Sequence, residues 1–555
     1  MLRSSLLLLF LLLTVPSILA AIIHHPIHIR LTSLSPTCES PYPVVTANGS
    51  LPGPAIHAYA GDTLSLMIHN HLPQDSFAMH FHGISQRDTP WMDGVPWITQ
   101  RPIPPRQSRL YAFKVDTPGT YFYHAHSKFH AFSVYGAILV HSQHEHTTLH
   151  AIHGVDYDED RVVVLGDAFQ YPDRFIHRVS EQDQVLPHTS IPVPSAILIN
   201  GAAVNPLAKQ GCQRAPRIVL APGKTHRIRV IHAGGKSAYR IALPPLLNPR
   251  IIEADGTLTR PHTIDPDSGL DIDAGQRYSI LMDMPSLAQS SPKDIFPVFV
   301  ALDHASQDHH THPVLSLLVI TIRDDKDDGS STRHTFNTYE LDRHDPMRDA
   351  LDGFYPVLHH ARATVLTSTT RVADSLVPAM PTQHYPPEIA SHRLFMEINS
   401  SQDFTHYTIN QNRFVPPAGY DPLLLRLAHR HPDTVLHRAN VFSVPMNATV
   451  DIILQYAAGF CRKPHPWHLH GHSMFLMGTG PGRFHGKIPR QGGPHSHILA
   501  RDTISGWSHT EKSSQDGCGW WVLRFKADNP GIWHCTFFFS GSILRLTFFS
   551  SLSFA

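Results

Sequence analysis

At 555 residues the chain exceeds what one hydrophobic core usually organises, so we expect about two to four domains. The 45 basic and 45 acidic side chains cancel, which argues against a nucleic acid or an anionic membrane surface as a partner. An apolar fraction of 42% permits well-packed cores, and 47 prolines with little low-complexity sequence are typical of many turns between short strands. The composition therefore favours an all-β protein of several domains.

The N-terminus predicts secretion. Arg3 provides a basic start, Leu6–Leu13 form a short apolar run, and small residues around Ala20 and Ala21 mark a cleavage site. The run is shorter than the ~20 apolar residues that cross a bilayer, so we interpret residues 1–20 as a signal peptide and expect no membrane span after its removal. Three Asn-x-Ser/Thr acceptors are consistent with a secreted glycoprotein: Asn48, Asn399 and Asn447.

The chain has five cysteines, which is an odd number for a protein of an oxidising compartment. They are Cys38, Cys212, Cys461, Cys518 and Cys535. One cysteine must remain unpaired, and Cys535, which follows a histidine, is the candidate for this free thiol. The residues alone leave the pairing of the other four open.

Apolar runs separated by turn residues recur along the chain and predict β-strands. They lie at Thr63–Ile68, Gly119–Phe122, Ala137–Val140, Arg161–Leu165, His226–Ile231, Tyr278–Met282 and Val314–Ile322. A polar loop at 324–331 precedes a stretch of weak periodicity up to about residue 387, and a His-rich segment covers 141–153. We therefore expect domains at 22–147, 148–330 and 380–555, with an irregular linker at 331–379.

Histidine is so frequent, with 44 residues, that several His-x-His triplets must arise by chance. Three such triplets have metal-ligand spacing but polar flanks: His144 to His146, His310 to His312 and His495 to His497. Flanks of Ser, Gln, Glu and Thr are typical of exposed turns. We interpret these histidines as solvated surface residues.

Four other segments combine ligand spacing with apolar or aromatic flanks. In a strand alternate residues share a face, so His80 and His82 in the first segment point the same way, as do His124 and His126 in the second. The third segment runs from His465 to His472 and the fourth from Asp528 to Cys535. The candidate metal ligands are His80, His82, His124, His126, His465, His468, His470, His534 and Cys535.

These four segments, in this order, resemble the copper-binding segments of the multicopper oxidases, the family of laccases, ascorbate oxidases and ferroxidases. The resemblance covers nearly the whole mature chain, and the stretch Gln86–Gly94 is most similar to the ascorbate oxidase and fungal laccase-like branches. Supporting motifs are Asn48–Pro54, Ile252–Gly256, Ala274–Tyr278, Thr408–Asn410 and Arg524–Gly531. The resemblance implies three cupredoxin-like Greek-key β-barrel domains and four copper ions.

The resemblance also implies a role for each ligand. His80 and His468 resemble the type 2 copper ligands, and Cys535 and His465 resemble ligands of the type 1 copper, which accepts single electrons. The type 3 pair is matched by His82, His124, His126, His470 and His534. In the family the adjacency of His534 and Cys535 links the electron-accepting copper to the oxygen-reducing cluster. His472 is not a ligand in the family pattern, so we interpret it as structural.

The resemblance further implies a disulfide between Cys38 and Cys212, and Cys461 with Cys518 is then the remaining pair. The first pair would tie the first domain to the second. Relatives have linked cysteines at similar positions.

The fourth segment departs from the family pattern. Thr536 and Ser540 stand where the resemblance implies histidines, and Arg545 stands at the axial position of the type 1 copper. One type 3 ligand and one type 1 ligand are therefore missing. We interpret the tail from about Trp533 as a misread of the gene, such as a mispredicted splice site, with a degenerate paralogue as the alternative.

The resemblance implies a secreted, laccase-like oxidase that couples one-electron oxidation of phenolic or related small molecules to reduction of O2. It is expected to be monomeric. A ferroxidase of the same fold is the near alternative, but Arg462 and Lys463 beside His465 disfavour an iron site. A copper-binding protein without turnover is the alternative from another class.

Overall fold

The structure of the chain is a computed structural model. The residues that it describes are 20–38, 40–154, 156–169, 194–204, 214–235, 237–286, 295–302, 314–322, 337–340, 376–379, 389–400, 407–412, 421–428, 441–457, 466–488, 499–505, 518–537 and 544–551. Thirty strands and two α-helices, α1 (Glu145–His153) and α2 (Leu423–Ala428), lie in these residues. The predicted all-β fold is confirmed.

Eight strands form the first pair of sheets. They are β1 (Ile22–Leu34), β2 (Tyr42–Ala47), β3 (Ile56–Tyr59), β4 (Thr63–Asn70), β5 (Met79–His82), β6 (Ser108–Lys114), β7 (Gly119–Ala125) and β8 (Tyr135–His141). The sheet orders are β2-β1-β4-β6 and β3-β8-β7-β5. Alternation of buried and exposed residues, as in β3, gives each strand an inward face, and the inward side chains form one core between the sheets.

Twelve strands form the second pair of sheets. They are β9 (Glu159–Ala168), β10 (Ala196–Ile199), β11 (Arg214–Leu220), β12 (Thr225–His232), β13 (Tyr239–Ala242), β14 (Arg250–Ala254), β15 (Thr257–Thr263), β16 (Leu270–Ile272), β17 (Arg277–Asp283), β18 (Ile295–Leu302), β19 (Leu315–Ile322) and β20 (Asn337–Glu340). Their orders are β10-β9-β12-β17-β14-β15 and β16-β13-β18-β19-β11-β20. The strand β20 lies inside the stretch predicted as irregular linker and pairs with β11, so part of that stretch completes this sheet.

Ten strands form the third pair of sheets. They are β21 (His392–Ser400), β22 (Tyr407–Ile409), β23 (Val441–Pro445), β24 (Thr449–Tyr456), β25 (Trp467–Leu469), β26 (Met474–Gly480), β27 (Thr503–Ile504), β28 (Gly519–Lys526), β29 (Gly531–Phe537) and β30 (Leu544–Ser551). The orders are β22-β21-β24-β28-β26 and β23-β30-β29-β25-β27. The atypical tail thus supplies a strand, β30, which pairs with β29 and β23.

The seven strands predicted from apolar runs are all present, extended by a few residues at most. His144 and His146, which the sequence predicts to be solvated surface residues, are exposed at the start of α1. Outside the described residues lie the His-x-His triplets at 310–312 and 495–497, the signal peptide up to residue 19, and His465. No helix among the described residues is long and apolar enough to cross a membrane.

Cys38 and Cys518 are each disulfide-bonded, whereas Cys535 is a buried free thiol. Cys212 and Cys461 lie outside the described residues. The pairing of Cys38 with Cys212 and of Cys461 with Cys518 therefore stays a prediction.

Buried polar contacts join the first pair of sheets to the second. The Thr120 N–H of β7 donates to Glu253 of β14 over 2.8 Å, and the Arg227 guanidinium of β12 pairs with the same carboxylate. Arg229 donates to the Thr120 hydroxyl over 3.1 Å. These contacts hold β7, the strand that carries His124, against the second pair of sheets.

A close backbone contact at the same junction makes Gly201 sensitive to substitution. Gly201 has φ +84°, and a Cβ there would lie 1.7 Å from the carbonyl oxygen of Leu51. The left-handed conformation alone costs a side chain about 1–2 kcal/mol. We expect Gly201→Ala to lower the thermal unfolding midpoint by clearly more than Gly154→Ala, because Gly154 has φ +63° and open space around its Cβ position. Equal midpoints for the two variants would contradict this packing.

Candidate metal centre

The first two histidine segments lie on neighbouring strands, as their spacing requires. β5 pairs with β7 antiparallel, so that His80 lies directly opposite His124. The ring centroid of His80 is 5.9 Å from that of His82, 5.4 Å from that of His124 and 5.6 Å from that of His126. All four imidazoles are buried.

The third segment meets the first two across the interface between the first and third pairs of sheets. His468 in β25 stacks on His82 with ring centroids 3.7 Å apart, and His470 lies 3.9 Å from His80. His468 and His470 thus lie together with the histidines of the first two segments, as ligand sets shared between these segments require. We therefore define the buried His cluster as His80, His82, His124, His126, His468, His470 and His534.

His534 joins this cluster through β29, which pairs with β25. Its ring lies 5.7 Å from that of His126 and 5.4 Å from that of His470. The His470 N–H also donates to the His534 carbonyl over 2.9 Å. The fourth segment therefore reaches the other three, although its sequence departs from the family pattern.

Hydrogen bonds fix one nitrogen of several imidazoles and leave the other for a ligand. The Nδ1–H groups of three rings donate to backbone carbonyls: His80 to Asp93 over 2.7 Å, His124 to Ala125 over 2.9 Å and His468 to Asp502 over 2.9 Å. Nε2 of His80 and of His468 is buried without a hydrogen-bond partner among the described residues. A buried imidazole nitrogen without a partner is costly unless it binds a metal or a proton donor.

His82 has the opposite orientation. Its Nε2 lies 3.0 Å from the Thr503 hydroxyl and 3.3 Å from the Asp502 carboxylate, while its Nδ1 is buried without a partner among the described residues. The ring nitrogen that a metal would use at His82 is therefore Nδ1.

Two carboxylates orient the cluster, and neither is among the ligands predicted from the sequence. Asp93 accepts a hydrogen bond from His470 Nδ1 over 2.9 Å and lies 3.2 Å from His80 Nδ1. Burial raises the pKa of Asp93, but His470 and His80 outweigh this effect and hold the pKa well below its usual value. Asp93 was visible in the Gln86–Gly94 stretch, whereas nothing in the sequence pointed to Asp502.

An ion-pair network anchors Asp502 to the second pair of sheets. Arg277 of β17 donates to both carboxylate oxygens of Asp502, over 2.7 Å each. Arg277 lies 3.3 Å from Asp255, and Asp255 accepts a hydrogen bond over 2.6 Å from Arg501. All four side chains are buried. The second pair of sheets thus supplies no cluster histidine but holds a carboxylate beside His82 and His468.

Cys535 lies next to the cluster in sequence but in an apolar environment. Its side chain packs in the core of the third pair of sheets with Trp467, Leu469 and Met474. Burial raises the pKa of this thiol well above its usual value. The neutral thiol is the stable form here unless a metal or a cation compensates the thiolate.

Two of the three departures of the tail, Thr536 and Arg545, have defined positions in the ladder. Thr536 lies opposite His468 and opposite Arg545, and Leu546 lies opposite Cys535. Thr536 is buried, and its hydroxyl has no hydrogen-bond partner among the described residues. Ser540 lies outside those residues.

His472 is partly buried just beyond the cluster. Its Nδ1–H donates to the carbonyl of His470 over 3.2 Å, and its ring packs edge-on against Phe525 and Trp533. These contacts fit the structural role that the sequence predicts for it.

The site offers three overlapping groups of candidate metal ligands. Three sets of ligand atoms each lie within 4.8 Å of one another: His80, His82 and His124; His80, His468 and His470; and His82, His468 and Asp502. Burial lowers the pKa of His82 to about 3 and that of His470 to about 4, so both rings are neutral at physiological pH, which is the form that binds metals. Imidazole sets of this kind suit copper and zinc.

The depressed pKa values predict acid sensitivity of the metal-free protein. His470 and His472, each with a pKa of about 4, stay neutral in the folded chain but take up a proton near pH 6.5 once unfolded. Stability is therefore complete above pH 6.5 and falls as pH drops towards 4, by up to about 1.4 kcal/mol per pH unit for each ring. Unfolding midpoints measured from pH 7 to 4 should show this fall, and a smaller slope for His472→Phe. A flat profile would contradict the burial of neutral rings.

Comparisons with known proteins agree with this geometry. Family profiles described as multicopper oxidase match residues 28–145, 159–319 and 402–537. The chain is 28% identical to an L-ascorbate oxidase of Cucumis sativus, with 90% of this chain and 84% of the relative covered. It is 25% identical to Laccase-25 of Oryza sativa subsp. japonica, with 93% and 88% covered, and 28% identical to Laccase-2 of Cryptococcus neoformans, with 89% and 78% covered.

Solved structures show the same fold. The laccase from Botrytis aclada superposes with a TM-score of 0.70 at 22% identity, over 96% of this chain and 88% of the laccase. Fet3p, a multicopper oxidase that functions in iron import, superposes with a TM-score of 0.70 at 20% identity, over 96% of this chain and 90% of Fet3p. The fold is therefore the cupredoxin fold of these enzymes.

The chain belongs to the multicopper oxidase family. Membership implies a copper-dependent oxidoreductase that uses O2 and a reducing substrate.

Proposed function

We propose that this protein is a secreted oxidase of the laccase type, which couples one-electron oxidation of phenolic or related small molecules to four-electron reduction of O2 to water. The observation that carries the proposal is the buried His cluster, in which seven imidazoles from both ends of the chain converge. Named laccases and ascorbate oxidases among the relatives support the class of reductant.

Copper fits the donor set. When bound, it supplies one-electron redox chemistry and a place for O2. The partnerless Nε2 atoms of His80 and His468 and the partnerless Nδ1 of His82 are the nitrogens available to it.

The proposed ligand roles are those that the family resemblance implies. We assign His80 and His468 to the type 2 copper and Cys535 with His465 to the type 1 copper. The type 3 ligands would be His82, His124, His126, His470 and His534. The mutual contacts of His126, His470 and His534 support placing these three around one ion of the pair.

The polypeptide provides a short connection between the two kinds of site. Cys535 and His534 are adjacent on β29, and the carbonyl of His534 accepts the N–H of His470. Asp93 remains ionised and accepts a hydrogen bond from His470 Nδ1, which fixes that ring with Nε2 directed to a ligand.

A copper-binding protein with an interrupted electron path is the second candidate. Thr536 favours it, because a buried hydroxyl opposite His468 is a poor replacement for an imidazole at copper. A ferroxidase is disfavoured by the positive charge of Arg462 and Lys463 near His465.

Secretion, glycosylation and a monomeric state complete the proposal. Residues 1–20 have the pattern of a signal peptide. The balanced charge argues against nucleic acid as a partner. The proposed partners are a small-molecule reductant and O2.

The experiment is to express the chain in a secretory host with copper and measure bound copper, blue absorption and oxygen uptake with a phenolic substrate. Copper with oxygen uptake supports the oxidase. Bound copper without blue absorption and without oxygen uptake supports the second candidate. Absence of bound copper would contradict both.

A further inference from the structure

Three histidines outside the buried cluster share the outer face of the first sheet. β1 and β4 are parallel neighbours, and their register places His28 directly opposite His69. His71 follows two residues later, and its N–H donates to the Ile29 carbonyl over 2.9 Å, which continues the ladder. Asn70 between them is buried, so His69 and His71 point to the other, solvent-facing side.

The three rings form a compact group. Nδ1 of His28 and Nε2 of His71 are 2.9 Å apart. Ring centroids are separated by 4.7 Å for His28 and His69, 5.2 Å for His28 and His71, and 6.0 Å for His69 and His71. The three rings are stacked, with interplanar angles of 11° to 25°.

A hydroxyl group orients the third ring. Nδ1 of His69 lies 2.7 Å from Oγ of Ser108, its register partner on β6. This leaves Nε2 of His69 for a metal, and metal-binding histidines commonly have the second nitrogen held in this way.

We propose that His28, His69 and His71 form a second metal site, open to solvent, for a divalent first-row transition ion such as Cu2+ or Zn2+. Metal–nitrogen bonds of about 2.0–2.1 Å place two ligand nitrogens about 3 Å apart, close to the separation of His28 Nδ1 and His71 Nε2. Three neutral imidazoles select such ions over Ca2+ or Mg2+, which require oxygen ligands. A His-x-His triplet is weak evidence in this chain, but a third histidine in register on the adjacent strand is an independent constraint.

The site binds through a small rotation of His69 towards the His28–His71 pair. The ion is independent of the buried His cluster, because none of the three residues contributes to it.

The test is calorimetric titration of Zn2+ into the full-length protein after loading with copper. We expect one equivalent to bind, and His28→Gln combined with His71→Gln to weaken this binding at least ~10–100-fold, the scale on which metal sites respond even to changes beyond their ligands. His24→Gln is the matched control, since His24 lies on the same strand and face but beside Ser65, and it should bind like the natural chain.

Equal Zn2+ affinity in the double variant and the control would overturn the proposal, because the ion would then be held by other histidines. Absence of a saturable equivalent in the natural chain would overturn it as well. Neither result bears on the buried cluster, whose copper content and oxygen uptake should be the same in all three proteins.

Discussion

A variant that carries Thr536→His and Ser540→His is expected to raise blue absorption and oxygen uptake well above the low level expected of the chain with Thr536 and Ser540. Position 536 is buried on β29 opposite His468, so an imidazole there enters the cluster from the strand that already carries His534. Ser540 stands where the family resemblance implies the second type 1 imidazole. With one imidazole and one thiolate, the Cys535 site has too few ligands for a trigonal copper site.

The gain in oxygen uptake should be at least ~100-fold. Replacing residues that only hold a metal ligand in place already lowers metal affinity or activity by about 10–100-fold, and here the ligands themselves are restored. The matched control is Thr536→Asn with Ser540→Asn, which introduces polar groups without imidazoles and should stay at the level of the unchanged chain. Turnover by the natural chain at the rate of the double histidine variant would show that the ligand assignment in the fourth segment is mistaken.

Arg277→Met is expected to lower the free energy of unfolding more than Gly201→Ala or Arg101→Met. Arg277 is fully buried and donates two hydrogen bonds to Asp502, so its removal leaves a buried carboxylate uncompensated. Breaking a buried ion pair in this way costs about 3–5 kcal/mol. Because Asp502 also lies 3.3 Å from His82, the variant should lose copper from the cluster in addition to unfolding at a lower temperature.

The matched control is Arg101→Met. Arg101 forms an exposed ion pair with Asp421, and such pairs contribute about 0–1 kcal/mol. Thermal unfolding and copper analysis of both variants separate the two situations. If Arg277→Met retained its copper and had the same unfolding temperature as Arg101→Met, the second pair of sheets would have no part in positioning the site.

The sequence predicted those features that depend on local periodicity. His80 with His82, and His124 with His126, are spaced for a strand, and strands β5 and β7 present them to one another. The aromatic and apolar flanks separated these pairs from His144 and His146, which lie exposed on α1.

Contacts between distant parts of the chain could not be predicted in this way. Asp502 is adjacent to His82 and His468 only because the third pair of sheets docks on the other two, and its partner Arg277 is 225 residues away in sequence. A single sequence carries no signal for such a pair. The same holds for β20, which completes a sheet from within a stretch of weak periodicity.

The tail illustrates a third situation. The sequence shows that Thr536 and Ser540 replace expected histidines, but not that β30 pairs with β29 along seven residues. Main-chain hydrogen bonding depends little on side-chain identity, so a strand can form where the ligand pattern is lost.

Copper content tests the central claim, that a copper cluster is shared between the first and third pairs of sheets. The measurement is the copper-to-protein ratio after reconstitution, for the natural chain, for His468→Gln and for the control His472→Gln, whose side chain lies in the same segment but outside the cluster. We expect more than one copper per natural chain, a clear loss in His468→Gln and no loss in His472→Gln. Equal copper content in His468→Gln and the natural chain would contradict the shared cluster.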